Sequence, residues 1–158
     1  AAAFDAASRH PDPQRLINAP RIPKKADHLA RHACADLFLD TLVFNAHSTA
    51  LDALWANVPI ISCPGETFQS RVVAAVLRTA TIKDLIVTDI FDYEEKVVEL
   101  CQSPVLLAEL KTRLAFAIDS PEFQTVPFVR GLENAFTEIW RRHTAGFEPT
   151  DFIASSDE

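Results

Sequence analysis

Two groups of side chains in this sequence have the types and spacing to hold a ligand. Arg31 and His32 lie three and four residues after His28, so on a helix they share its face. Asn45-Ala46-His47-Ser48-Thr49 is a polar turn that opens a second helical pattern, with Asp52 about one turn further in. Hydroxyls and an imidazole at a helix start suit an anion. The first N–H groups of a helix have no partner within it, and the macrodipole favours negative charge there. Only three glycines are present, Gly65, Gly131 and Gly146, too scattered for a glycine-rich phosphate loop. Any phosphate is therefore expected to meet the helix start directly.

The elements that must position these groups follow from the apolar pattern. Residues 25–33 are predicted as a short helix and residues 35–39 as a buried strand. Ser48 is expected to cap a helix over 49–57, and residues 58–62 form a β-branched central strand. Pro64-Gly65 turns the chain into a helix over about 67–80, and residues 85–87 make a further short strand. Asp89 or Asp92 caps a helix that runs through Glu99. Ser103-Pro104 opens another over 105–118, with proline in the first turn. The last helix spans about 128–144, its stripe of Phe128, Leu132, Phe136, Ile139 and Trp140 expected to be mostly core and in part a cover for another region of the protein, with Gly146 just past its end. With a first strand over 15–18, this alternation predicts an α/β fold: a partial Rossmann-like parallel sheet of about four strands, flanking helices and a helical C-terminus. Residues 1–14 are expected to be a frayed upstream remnant, 15–149 the half-domain itself, and 150–158 a disordered acidic tail. Asp40-Thr41, the 45–49 turn and Pro64-Gly65-Glu66 all fall at the carboxyl ends of strands, where open α/β sheets bind ligands.

Composition narrows the functional classes. A chain of 158 residues that is 48% hydrophobic can bury one core. Its apolar runs stop near strand length, against about 20 residues for a membrane helix, so no membrane insertion is expected. A net charge of −7 argues against nucleic acid, and Lys24-Lys25 is too small a basic cluster to reverse that. Three cysteines without a CxxC pair suit the cytoplasm or another reducing intracellular compartment. The absence of methionine leads us to expect a processed product, an excised fragment or the ordered part of a longer protein.

Beyond this the residues themselves do not name a reaction, but a resemblance does. The pattern DxxxxNxHxTxxDxLWxxxPxxxxPGExxxSRV, running from Asp40 to Val72, resembles the protein O-GlcNAc transferases, particularly their bacterial-type members. The likeness continues more loosely through KDLIVTDIFDYEEKVVEL, SPEF and the final FTEIW and AGFEP, so it covers roughly residues 17 to 149. It implies the C-terminal half of a GT-B glycosyltransferase that moves N-acetylglucosamine from UDP-GlcNAc to Ser or Thr hydroxyls of proteins, without a cofactor or metal. By the same resemblance His47, Ser48 and Thr49 face the diphosphate of UDP, and Asp52 bonds the ribose hydroxyls. Lys25 matches a ribose-contacting lysine, His28 a histidine that stacks on uracil, and Arg31 is expected to support them. The family's catalytic lysine, its acceptor-binding half and its helical repeats are expected upstream of this chain or on a partner chain. The isolated chain is accordingly expected to be inactive. Ser48 stands where threonine is common, Ala75 where serine is usual, and Asn57 and Thr81 where glycine is usual.

Plainer readings compete for several of these residues. His47 and Thr49 can serve simply as turn and capping residues, and Asp52 can simply favour its helix N-terminus. A zinc site on His28, His32 and Cys34 lacks a fourth ligand, and Cys63 reads as a core thiol. A catalytically retired fragment kept as a structural or interaction subunit is the alternative to an enzyme part.

Overall fold

Hydrogen bonding along the two apolar runs produces a much shorter sheet than their composition suggests. The computed structural model describes residues 17–154, and within them β1 (Phe38–Leu39) pairs in parallel with β2 (Ile60–Ile61), Phe38 opposite Ile60 and Leu39 opposite Ile61. Pro59 explains why the ladder starts no earlier. Its carbonyl accepts from the Phe38 N–H at 2.8 Å, but it has no N–H of its own to extend the pairing backwards. The segment expected as a strand over 85–87 instead begins as a 3-10 turn, Lys83–Leu85, and joins the sheet by a single parallel bridge between Ser62 and Ile86. Residues 17 and 18 form no strand, and 15–16 lie outside the described residues. Among the described residues the expected four strands thus reduce to two and a bridge, although the α/β class holds.

The helices carry most of the core. α1 (Lys25–His32) precedes β1, and α2 (Ser48–Trp55) is the crossover between β1 and β2. α3 (Val72–Thr79), α4 (Ile90–Gln102), α5 (Pro104–Ile118) and α6 (Thr125–Thr144) follow, with a second 3-10 turn, Pro121–Phe123, before α6. Leu54 of α2, Ile60 of β2, Val73 and Leu77 of α3, Leu100 of α4 and Leu114 of α5 meet in one apolar cluster. Burying side chains of this size stabilises each by roughly 1.5–3 kcal/mol, far more than a two-residue ladder supplies.

Two caps fall where the sequence puts them. The Asp89 carboxylate accepts from the N–H groups of Phe91 at 2.8 Å and Asp92 at 2.9 Å, and the Ser103 hydroxyl accepts from that of Leu106 at 3.3 Å with Pro104 in the first turn. Other boundaries shift. α3 starts at Val72 because Thr67 and Ser70 close a turn first: the Ser70 N–H donates to the Thr67 carbonyl, and the Gly65 N–H to the Ser70 carbonyl. A Cβ on Gly65 would stand 2.8 Å from the Ser70 hydroxyl, so this turn admits only glycine there without moving the serine. α6 begins three residues earlier than its stripe indicates, and none of its residues is buried. Phe128, Leu132, Phe136, Ile139 and Trp140 are all exposed, which overturns their expected place in the core. Gly146 does take the left-handed backbone at the helix end, φ 75°. The segment expected as a tail is described to residue 154. There Arg142 donates to the Thr150 hydroxyl at 3.0 Å and lies over the Phe152 ring at 4.6 Å.

Asn57 (φ 59°) and Thr81 (φ 56°) are the two non-glycine residues with left-handed backbone among those described. Asparagine tolerates this region, but a β-branched side chain does not, and left-handed geometry costs an ordinary residue roughly 1–2 kcal/mol. Thr81 is exposed, so its side chain supports no packing in return. Thr81→Gly is expected to raise unfolding stability by about 1 kcal/mol, and Asn57→Gly to change it much less. Urea unfolding of the two variants checks this.

Candidate functional site

α1 lies across the first turns of α2, and the contact between them is ionic. Lys25 donates from Nζ to Asp52 Oδ1 at 2.5 Å, and His28 Nε2 stands 3.3 Å from Asp52 Oδ2. Arg31 donates from Nη1 to the Pro20 carbonyl, which ties the segment before α1 to the same face. Lys25, His28, Arg31 and Asp52, with Arg21, Ile22 and Pro23, line one cleft of about 280 Å³. The hydrogen bond from Lys25 holds the Asp52 carboxyl below the usual carboxylate range, aided by the charge of Lys25 and the nearby His28 and His32 against the opposing effect of burial. An ionised Asp52 can only accept hydrogen bonds, and so suits a ligand that presents hydroxyl donors. His32 sits behind His28, outside the cleft lining. The two rings meet edge to face at 4.7 Å, with their Nε2 atoms 3.2 Å apart.

The start of α2 forms the neighbouring surface. Ser48 is its first helical residue and not its cap, contrary to the sequence expectation. His47 holds the cap position, and its side chain makes no capping hydrogen bond. The first N–H groups of α2 therefore remain open to a ligand, with the exposed Ser48 and Thr49 hydroxyls beside them. The His47 ring stacks on Phe44 at 4.9 Å and meets the edge of Phe68 at 6.3 Å. Its Nε2 is buried without a hydrogen-bond partner among the described residues. A buried ring nitrogen in that condition is ready to take an incoming polar atom.

Beneath the turn lies a set of buried polar groups whose bonds to one another the sequence did not show. Asp40, 4% exposed, directly follows β1 and accepts from the Ala46 N–H at 2.8 Å and from the Ser62 hydroxyl at 2.6 Å. Its backbone carbonyl accepts from the Tyr93 hydroxyl at 3.0 Å. Asn45, also buried, donates to the Thr41 carbonyl at 2.8 Å, accepts from the Val73 N–H at 3.4 Å, and gives its own N–H to the Gln69 carbonyl. Burial, then the Asp40 and Cys63 charges, pushes the Tyr93 hydroxyl up to about 12, so it stays a protonated donor. The available signal was the pair of polar residues, Asp40 and Ser62, at the ends of two apolar runs. Elsewhere, burial raises the Cys63 thiol above its ordinary range, with Asp89 and Asp92 adding to the effect, which makes it a poor nucleophile. No three His, Cys, Asp or Glu side chains among the described residues group as metal ligands. No helix among them is long and apolar enough to cross a membrane.

A parallel strand–helix–strand unit with its open helix start at the strand ends is the Rossmann-like arrangement of a GT-B glycosyltransferase half, here its C-terminal part. The chain belongs to glycosyl transferase family 41, which residues 4–132 match. It is 36% identical over 133 residues to the probable UDP-N-acetylglucosamine–peptide N-acetylglucosaminyltransferase SEC of Arabidopsis thaliana, covering 83% of this chain and 14% of that protein. Over 148 residues it is 28% identical to the UDP-N-acetylglucosamine–peptide N-acetylglucosaminyltransferase of Caenorhabditis elegans, covering 93% of this chain and 13% of that one. A solved mutant of the Thermobaculum terrenum O-GlcNAc transferase superposes with a TM-score of 0.80 at 27% identity, covering 91% of this chain and 28% of its own. The chain thus spans about one-seventh of the length of each of these two relatives.

Removing Asp40 is expected to expose the worth of these bonds. Asp40→Ala leaves the Ala46 N–H and the Ser62 hydroxyl unpaired in a buried place and should destabilise the fold by about 2–3 kcal/mol. Asp40→Asn should cost only about 1 kcal/mol, because the amide oxygen can keep the Ala46 bond while the Ser62 hydroxyl turns to accept. Denaturant unfolding of both variants tests the difference.

Proposed function

We propose that this chain is the donor-binding part of an inverting transferase that moves N-acetylglucosamine from UDP-GlcNAc to Ser or Thr hydroxyls of proteins. The observation that carries this reading is the junction of α1 and α2. Lys25, His28, Arg31 and Asp52 line one cleft, and Asp52 lies one turn inside the helix whose open start bears His47, Ser48 and Thr49. A uridine diphosphate presents a matching order of groups: a planar base, a diol and two phosphates. In this arrangement His28 stacks on the base, and Asp52 and Lys25 take the ribose hydroxyls. Arg31 supports that end, and the diphosphate meets His47, the two hydroxyls and the helix N–H groups. The same donors stabilise the charge that grows on departing UDP, a task that falls to protein groups and not to a metal or cofactor. The names of the Arabidopsis and Caenorhabditis relatives, with UDP-N-acetylglucosamine as donor and peptide as acceptor, support the same substrates. The catalytic group and the acceptor-binding half belong, in this reading, outside residues 17–154, on an upstream region or a partner chain that also receives the acceptor protein.

Calorimetric titration with UDP is expected to show binding that His47→Ala abolishes and Asp52→Ala weakens by about tenfold, the loss of one charge-assisted hydrogen bond. No heat at millimolar UDP, with the fold shown intact by circular dichroism, would sink the reading. Transfer is a separate matter, because most of its rate comes from holding the acceptor in line and from preorganised charge, and one missing donor alone costs roughly 10²–10³. Incubated with radiolabelled UDP-GlcNAc and a Ser/Thr-rich peptide, the isolated chain is expected to bind and not transfer. Turnover by the chain alone would place the catalytic group within it.

A further inference from the structure

His32 takes no part in the site proposed above, yet the structure gives it a defined relation to His28. The two lie one turn apart on α1, with Nε2 facing Nε2 at 3.2 Å. His32 is itself held from the other side, its ring stacked on Phe38 of β1 at 6.4 Å and 25°. His28 Nε2 therefore has both the His32 nitrogen, at 3.2 Å, and Asp52 Oδ2, at 3.3 Å, within reach. An N–H on His28 Nε2, given to the ionised Asp52 or shared between the two neighbours, fits this contact only when His32 presents a lone pair. If His32 carries a proton on its own Nε2, two N–H groups point at each other and the pair must open. We infer that His32 is a positioning residue: as a neutral acceptor it fixes the ring of His28 at the nucleoside end of the cleft, and its protonation releases that ring and weakens nucleotide binding.

The surroundings of His32 agree on the direction. From its own helix it faces His28, Arg31 and Lys25; from α2 it faces Asp52; from β1 the neighbour is the uncharged Phe38. Burial, and after it His28, lowers its pKa below the ordinary 6.5; Arg31 and Lys25 act the same way, and only Asp52 opposes them. It is thus neutral near pH 7. If the bound form requires neutral His32, binding lowers its pKa further. Affinity is then unaffected well above pH 6.5 and is lost as pH falls through the free-state pKa below that value. One linked proton gives at most about a tenfold rise in Kd per pH unit. The inference rests on the nucleotide reading of the site and deepens it with a regulation by pH.

The test is calorimetric binding of UDP-GlcNAc to the chain from pH 5 to 8. This donor is chosen because its diphosphate is esterified at both ends and has no terminal phosphate to titrate in the range. The wild type is expected to lose affinity on acidification below pH 6.5. His32→Phe keeps the aromatic contacts and removes the acceptor, and should bind about five- to tenfold more weakly at pH 8, with the acid limb gone. His32→Gln sets an amide acceptor near the place of Nε2 and should recover affinity to within about threefold of wild type, again without the acid limb. Thermal melts establish that both variants fold. Affinity that is flat or rises on acidification, or a His32→Phe variant with wild-type affinity and acid limb, overturns the inference and leaves the nucleotide reading standing. Binding by no variant at any pH overturns both.

Discussion

Asp40 sits where the two strands, the site turn and α4 converge, and its oxygens are shared among all of them. One carboxylate oxygen holds the Ala46 N–H, the other the Ser62 hydroxyl, and the carbonyl holds Tyr93. Because Ala46 immediately precedes His47, the carboxylate fixes where the chain enters α2 and therefore where its open N–H groups point. Asn45 does the same from the other side, joining the turn to α3 through Val73. A buried carboxylate is costly unless its bonds are complete. The ligand-facing turn thus inherits a narrow geometry from groups that never face the ligand.

The cleft beside it is arranged differently, with its polar groups satisfied by one another. Asp52 already holds Lys25 on one oxygen and faces His28 on the other. A ligand hydroxyl that binds Asp52 exchanges with one of these partners and does not enter empty space. Lys25 is the freer of the two, being largely exposed at 64%, so its share of the ion pair is screened by water and cheap to rearrange. The site can therefore switch from internal pairing to ligand pairing by moving one long side chain, while α1 and α2 stay in contact.

How far the sequence foretold this depends on how local each decision is. Asp89 and Ser103-Pro104 were legible because a cap is decided by a side chain and the next few N–H groups. Ser48 was misplaced by one position because a serine before a helical run fits the cap and the first turn equally well. The strands were drawn too long because apolar composition cannot show that Pro59 has no N–H to continue the ladder. The shared face of His28 and Arg31 followed from helical spacing, but Lys25 and its meeting with Asp52 needed the resemblance, since that contact joins residues 27 apart. The Asp40–Ser62 bond was hidden for a similar reason: burial of a polar pair is a property of the assembled fold. The α6 stripe was misread because periodicity reports that a helix has an apolar side, not that anything covers it.

The uncovered stripe also bears on how cooperatively the chain unfolds. A twenty-residue helix with no buried side chain contributes little to the common core, so its persistence rests on bonds along its own length. Glu138 supplies some of them: it accepts from Arg141 and Arg142, which hold its carboxyl down at about 2. Ion pairs of this kind between exposed groups stabilise little and are screened by salt. In this chain α6 then behaves as a separate opening unit, its amides exchanging with solvent through fraying while those of α3 and α5 wait for global unfolding.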